Sequence, residues 1–160
     1  MSGEKTIFRR VQIAGLFIIS FLGGLVHMSM HSMLVEGELL GWAEKLLYAL
    51  KAGGATLPLA ADVAELPVLE MMTGGMLYVA VFWFALMLLP AILPLLTEKR
   101  AWRWVTAIVG LVMVVMGIFD SFVHMTTPGQ AALGLSGLML GSIPGIIAVI
   151  FAFGWARVEE

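Results

Sequence analysis

Cysteine is absent and charge is scarce: 12% of the 160 residues are Asp, Glu, Lys or Arg. Without thiols the chain has no disulfide framework, no thiolate metal site, no iron–sulfur cluster and no cysteine nucleophile. A water-soluble domain carries about 25% charged and about 45–50% apolar residues. Here the apolar share is 61%, so most of the surface of the folded chain must face lipid. The formal net charge is −2 and the nine Lys and Arg residues stand in short runs, which excludes a basic surface that tracks nucleic acid. The metal ligands still available are His, carboxylates, Met and backbone oxygens.

What is present is long apolar sequence. A hydrocarbon core of about 30 Å needs roughly 20 apolar residues at about 1.5 Å rise each. Four runs meet that length, at 11–33, 71–96, 104–125 and 131–156. Lys5, Arg9 and Arg10 precede the first, but no small-residue cleavage pattern follows, so it reads as a retained helix rather than a signal peptide. Lys5, Arg9, Arg10, Lys99, Arg100, Arg103 and Arg157 then fall on one side of the membrane, against Lys45 and Lys51 on the other. Basic residues near span ends favour the cytoplasm. The expectation is an all-α integral membrane protein of one domain over 1–160. It is a four-transmembrane-helix bundle with both termini cytoplasmic, in a bacterial inner membrane.

The segment 34–69 is the outer, periplasmic loop of that scheme. Leu39, Leu40, Ala43, Leu46, Leu47 and Leu50 recur in it at helical spacing, which predicts an amphipathic surface helix over about 38–52, ended by Gly53 and Gly54. In the last span Gly134, Gly137, Gly141 and Gly145 form a stripe that lets backbones approach closely. Pro90, Pro94 and Pro144 are expected to kink their helices.

Ionisable side chains inside spans are costly, about 2.5–3.5 kcal/mol for a charged one near the centre, and mark function. Span one carries His27 and His31; span three carries Asp120 and His124. Each pair is spaced by four, one turn apart on one face. His27 and Asp120 both lie sixteen residues into their spans, about 24 Å along, and the two spans run in the same direction. All four side chains therefore reach one layer near the outer surface. Gly24-x-x-His27-x-x-x-His31 also aligns with Gly117-x-x-Asp120-x-x-x-His124 at an offset of 93, as a weak internal repeat. Glu70 opens the second span near the same layer, and Gln130 holds the equivalent place before the fourth.

Three imidazoles and one or two carboxylates on facing helices are the parts of a metal site. His27, His31, Asp120, His124 and Glu70 are the expected ligands, with Ser29, Ser32, Ser121 and Thr126 as hydroxyls to steady the imidazoles. Seven of twelve methionines fall in the outer third, which supplies soft thioethers and makes copper the first choice. Asp120-Ser121-Phe122-Val123-His124 resembles the Asp-x-x-x-His step that supplies copper ligands in the C subunits of membrane-bound methane and ammonia monooxygenases. The resemblance covers five residues, lacks the further His that follows there, and implies only that copper is a permissible ion.

The expected role is redox chemistry or metal handling, as a subunit of a larger membrane complex or a homo-oligomer. Two alternatives stand beside it. Haem b would be held by His31 and His124, with glycines beside the macrocycle; non-haem iron is the other alternative to copper as the cofactor. A quinol-oxidising anchor would use Glu70 or Asp120 as proton acceptor and a quinone as partner.

Overall fold

The computed structural model describes residues 3–51 and 74–158. Every element among them is helical. Helix α1 runs over Gly3–Lys51, α2 over Gly74–Leu96 and α3 over Arg100–Thr126. The last rod, Ala131–Ala156, comprises α4 (Ala131–Ser136), a π-helical stretch (Gly137–Ser142) and α5 (Ile143–Ala156). Three helices are long and apolar enough to cross a membrane, within Glu4–Tyr48, Arg100–Thr126 and Ala131–Ala156. In α2 the apolar helix described in full, Val81–Leu96, is shorter. The chain is therefore a membrane-associated helical protein.

Two bodies make up the chain. The first combines Met1–Met28 with Trp83–Glu160; the second is Ser29–Phe82.

In the first body the usual distribution of side chains is inverted. Its core is built largely of small residues, with Ala91, Ala107, Ala148 and Ala152 almost fully buried around Ile13, Phe17 and Trp155. Large apolar side chains such as Phe119, Ile150 and Leu96 point outward. This is what lipid selects: tails are as apolar as leucine, so helices associate through close backbone packing rather than by hiding apolar surface from water. The glycine stripe of the last rod serves that packing. Gly134 lies against Ser121 and Met125 of α3, Gly141 against Ser20 and Gly23 of α1, and Gly145 against Val114 and Ser20.

Helix directions follow from the same neighbours. Phe17 fills the space over Gly110, and His27 meets Asp120, so α1 and α3 run parallel at the offset of 93 seen in the sequence. The last rod runs antiparallel to α1, with Ser20 hydrogen-bonded to Gly141 and His27 to Leu133. One end of the bundle thus carries the histidines and the other the arginines. At the arginine end, Arg10 pairs with Glu98 and donates to the carbonyls of Pro94 and Leu95. Arg103, buried and stacked over Trp155, donates to the carbonyls of Glu98 and Val158. The carbonyls of Pro94 and Leu95 lie in the last turn of α2, where a helix leaves unsatisfied oxygens of partial negative charge, whereas those of Glu98 and Val158 lie just past the ends of α2 and α5.

Two sequence expectations meet a different arrangement. Pro144 does not break the last rod by itself: it occupies the first turn of α5, and the wider π stretch before it carries the N–H of Ile143 back to the carbonyl of Leu138. A π turn absorbs the register change that proline forces. In the second body, α1 continues through 34–37 to Lys51 with no interruption ahead of the amphipathic segment. No proline lies there, and Gly37 is passed through as part of the helix. Val35, Leu39, Trp42, Ala43 and Leu46 form its half-buried stripe, while Leu40 and Leu47 are exposed. Gly53 and Gly54, expected to end the helix, lie outside the described residues.

Candidate metal centre

At the histidine end, His27, Asp120 and His124 converge so that one ligand atom from each lies within 4.8 Å of the others. Asp120 and His124 are brought together by α3 itself, one turn apart. The parallel packing of α1 adds His27. The Nε2 atom of His27 is 3.0 Å from Asp120 Oδ2, and that of His124 is 3.6 Å from Asp120 Oδ1. The imidazole rings stand 5.2 Å apart, tilted by 59°. Around an ion bound tetrahedrally at ~2.0–2.2 Å, ligand atoms lie roughly 3.3–3.6 Å from each other. The observed spacings need only small side-chain adjustments to reach that.

The far side of each ring is fixed. His27 Nδ1 donates to the carbonyl of Leu133 at 3.1 Å, and His124 Nδ1 donates to the amide oxygen of Gln130 at 2.6 Å. A proton held on Nδ1 leaves Nε2 as the atom that offers a lone pair, or that takes a second proton beside the Asp120 carboxylate. Metal-binding histidines carry the same hydrogen bond on their non-ligating nitrogen, which sets the tautomer and the ring direction. The histidine side chains are enclosed, 8% and 14% exposed, whereas Asp120 is 55% exposed. The carboxylate therefore forms the open side of the cluster.

Local sequence explains the two acceptors. Thr127-Pro128-Gly129-Gln130 closes a turn in which Gln130 N–H donates to Thr127 O and Gly129 takes φ +80°. Proline then positive-φ glycine at the two central places is the pattern of a type II turn. It reverses the chain within four residues and returns Gln130 to His124. The other acceptor depends on Gly137: a Cβ there would lie 2.6 Å from Ser121 Oγ and 2.9 Å from His27 Nδ1. Only glycine allows the His27 ring to lie against the last rod.

Of the five residues expected as ligands, the structure gathers His27, Asp120 and His124. His31 lies one turn beyond His27, in the second body. Glu70 lies outside the described residues. Two of the hydroxyls expected to steady the rings, those of Ser121 and Thr126, have other tasks. Ser121 donates to Gly117 O, and Thr126 to the carbonyls of Phe122 and Val123, one turn back in their own helix. Serine and threonine in a lipid-facing helix satisfy themselves this way. Leu133 O and Gln130 take that place instead. The Thr-Pro-Gly-Gln turn was the sequence signal for the second; a backbone carbonyl leaves none.

Comparison with known protein families, with characterised proteins and with solved structures finds no match.

Proposed function

We propose that this chain is a membrane metal-binding protein that holds one transition-metal ion between His27, Asp120 and His124. The observation that carries the reading is the fixing of both imidazoles by their Nδ1 atoms, with both Nε2 atoms directed at one carboxylate. Ordinary packing of one buried and one half-buried histidine does not require both tautomers to agree. Nitrogen and carboxylate donors suit zinc, iron and copper, and among divalent ions of the first row such sites bind copper most tightly. Copper is accordingly the ion of first choice, in a centre at the outer face. The role is redox chemistry or metal handling within a larger membrane assembly.

The test is titration of metal-free protein with Cu(II), Zn(II) and Fe(II), with a visible spectrum taken beside it. One ion per chain is expected, with the stoichiometry lost in Asp120→Asn and His124→Ala while helix content is retained. A Soret band would overturn the bare-ion reading in favour of haem. Binding that persists unchanged in both variants would overturn the site.

A further inference from the structure

At the arginine end of the first body, Arg9 stands apart from its neighbours. Arg10 and Arg103 direct their donors to Glu98 and to backbone carbonyls at and beyond helix ends. Arg9 forms no hydrogen bond or ion pair with any described residue. Its side chain is nevertheless half-buried, because the guanidinium lies across α5 at Gly154. A Cβ on Gly154 would sit 2.7 Å from Arg9 Nη2 and 3.7 Å from Cζ. The absence of a side chain there makes a seat in which a planar fork of N–H donors rests against helix backbone with its donors unused.

The surroundings of the seat indicate what it takes. Lys5 precedes Arg9 by one turn of α1, and Arg157 follows Gly154 by one turn at the end of α5. Both are exposed, and among the described residues neither is paired with an acid; Glu4, also exposed, pairs with none of these cations. Like charges gathered where two helices meet raise the local potential and attract an anion. Further into the span the same flank is different. Gln12, one turn beyond Arg9, is exposed and has no hydrogen-bond partner among the described residues. Past it stand Ile19 of α1 and Ile147 and Phe151 of α5, all exposed. Ten residues separate Arg9 from Ile19, about 15 Å along the helix, or half of a hydrocarbon core of about 30 Å. A cationic seat above one leaflet's depth of apolar surface matches a phospholipid, and basic pockets between spans bind such headgroups.

We propose that Arg9, seated on Gly154 and supported by Lys5 and Arg157, binds the phosphate of an anionic phospholipid whose chains lie along the flank of α1 and α5. The guanidinium fork matches two phosphate oxygens at once, which a point charge does not. Gln12, about 4.5 Å further in, is at the depth of the ester oxygens that follow the phosphate, and its amide can donate to them. The lipid then ties the start of α1 to the end of α5 from outside the bundle.

The test is native mass spectrometry of the full chain released from detergent, with dioleoylphosphatidylglycerol or dioleoylphosphatidylcholine added and glycerol 3-phosphate as the soluble counterpart. One phosphatidylglycerol per chain is expected, retained in preference to phosphatidylcholine and not displaced by excess glycerol 3-phosphate. Arg9→Gln should lower the affinity about tenfold, the loss of one charge-assisted hydrogen bond. Arg9→Lys, which keeps the charge and loses the fork, should recover only part of it. Gly154→Ala should also weaken binding, because its methyl group displaces the guanidinium, while circular dichroism shows helix content retained. Arg100→Gln, which removes an exposed charge at the same end, should leave the affinity within about twofold, as a solvated charge contributes little. Equal losses in Arg9→Gln and Arg100→Gln would mean a diffuse positive field and overturn the seat. Displacement by glycerol 3-phosphate would make free phosphate the ligand and overturn the lipid. Binding undiminished in both Arg9→Lys and Gly154→Ala, or no preference for phosphatidylglycerol, would overturn the proposal as a whole.

Discussion

Gln130 touches none of the three candidate ligand atoms directly offered to an ion, yet it positions one of the rings that carry them. Its amide oxygen holds His124 Nδ1 at 2.6 Å, and losing such an outer partner typically weakens metal binding about 10–100-fold. Gln130→Leu should therefore lower affinity by that factor, measured by competition with a chelator, while all three ligands remain in place. Gly137 acts by omission. A methyl group at that position would collide with His27 Nδ1 and Ser121 Oγ, and overpacking of this kind costs about 1–3 kcal/mol. Gly137→Ala is expected to lower both thermal stability and metal affinity; a variant that loses neither would mean that the ring is not held against the last rod. His27, Asp120 and His124 were legible in the sequence because ionisable groups in apolar runs are rare and their depths matched. The partners of the rings were not, since a carbonyl has no residue type and the hydroxyls of Ser121 and Thr126 bond to their own helix.

Among the elements, the turn between α3 and the last rod has the clearest consequence. Gly129 at φ +80° occupies a region that costs an L-residue roughly 1–2 kcal/mol. Gly129→Ala should lower the melting temperature by that equivalent, with a further loss of metal affinity as Gln130 moves. The π stretch was not readable: sequence marks Pro144 as a disturbance, but whether a helix kinks or widens depends on what packs beside it. Gly141 and Ser20 decide it here, because the Ser20 hydroxyl takes up a carbonyl of the wide turn. At the arginine end, Arg103 satisfies two carbonyls of different segments. Hydrogen bonds from a charged donor contribute about 1.5–3 kcal/mol, so Arg103→Ala should destabilise the bundle by that order in thermal unfolding, and Arg103→Lys, with a single donor head, should restore only part.

For the molecule as a whole, the scarcity of charge that places it in lipid also makes its few charges informative. The parallel pairing of α1 with α3 was legible from two like-spaced pairs at an offset of 93, and the structure repeats that offset at Phe17 and Gly110. The course of the chain beyond His27 was less so, because the amphipathic pattern of 38–52 looks the same in a separate surface helix as in the continuation of α1. An ion held by two imidazoles competes with protons for Nε2, so its binding should weaken on acidification, by up to about tenfold per pH unit for each imidazole that must first deprotonate. Titrations at several pH values check this. The central claim is that His27 and His124 keep their protons on Nδ1 and give Nε2 to one ion. With three histidines in the chain, long-range ¹⁵N–¹H correlation spectra of the imidazoles test it most directly. The account predicts that His27 and His124 each keep a proton on Nδ1 in metal-free protein, and that both Nε2 resonances shift when Zn(II) is added. Nε2–H tautomers, or Nε2 resonances that do not respond to metal, would contradict it.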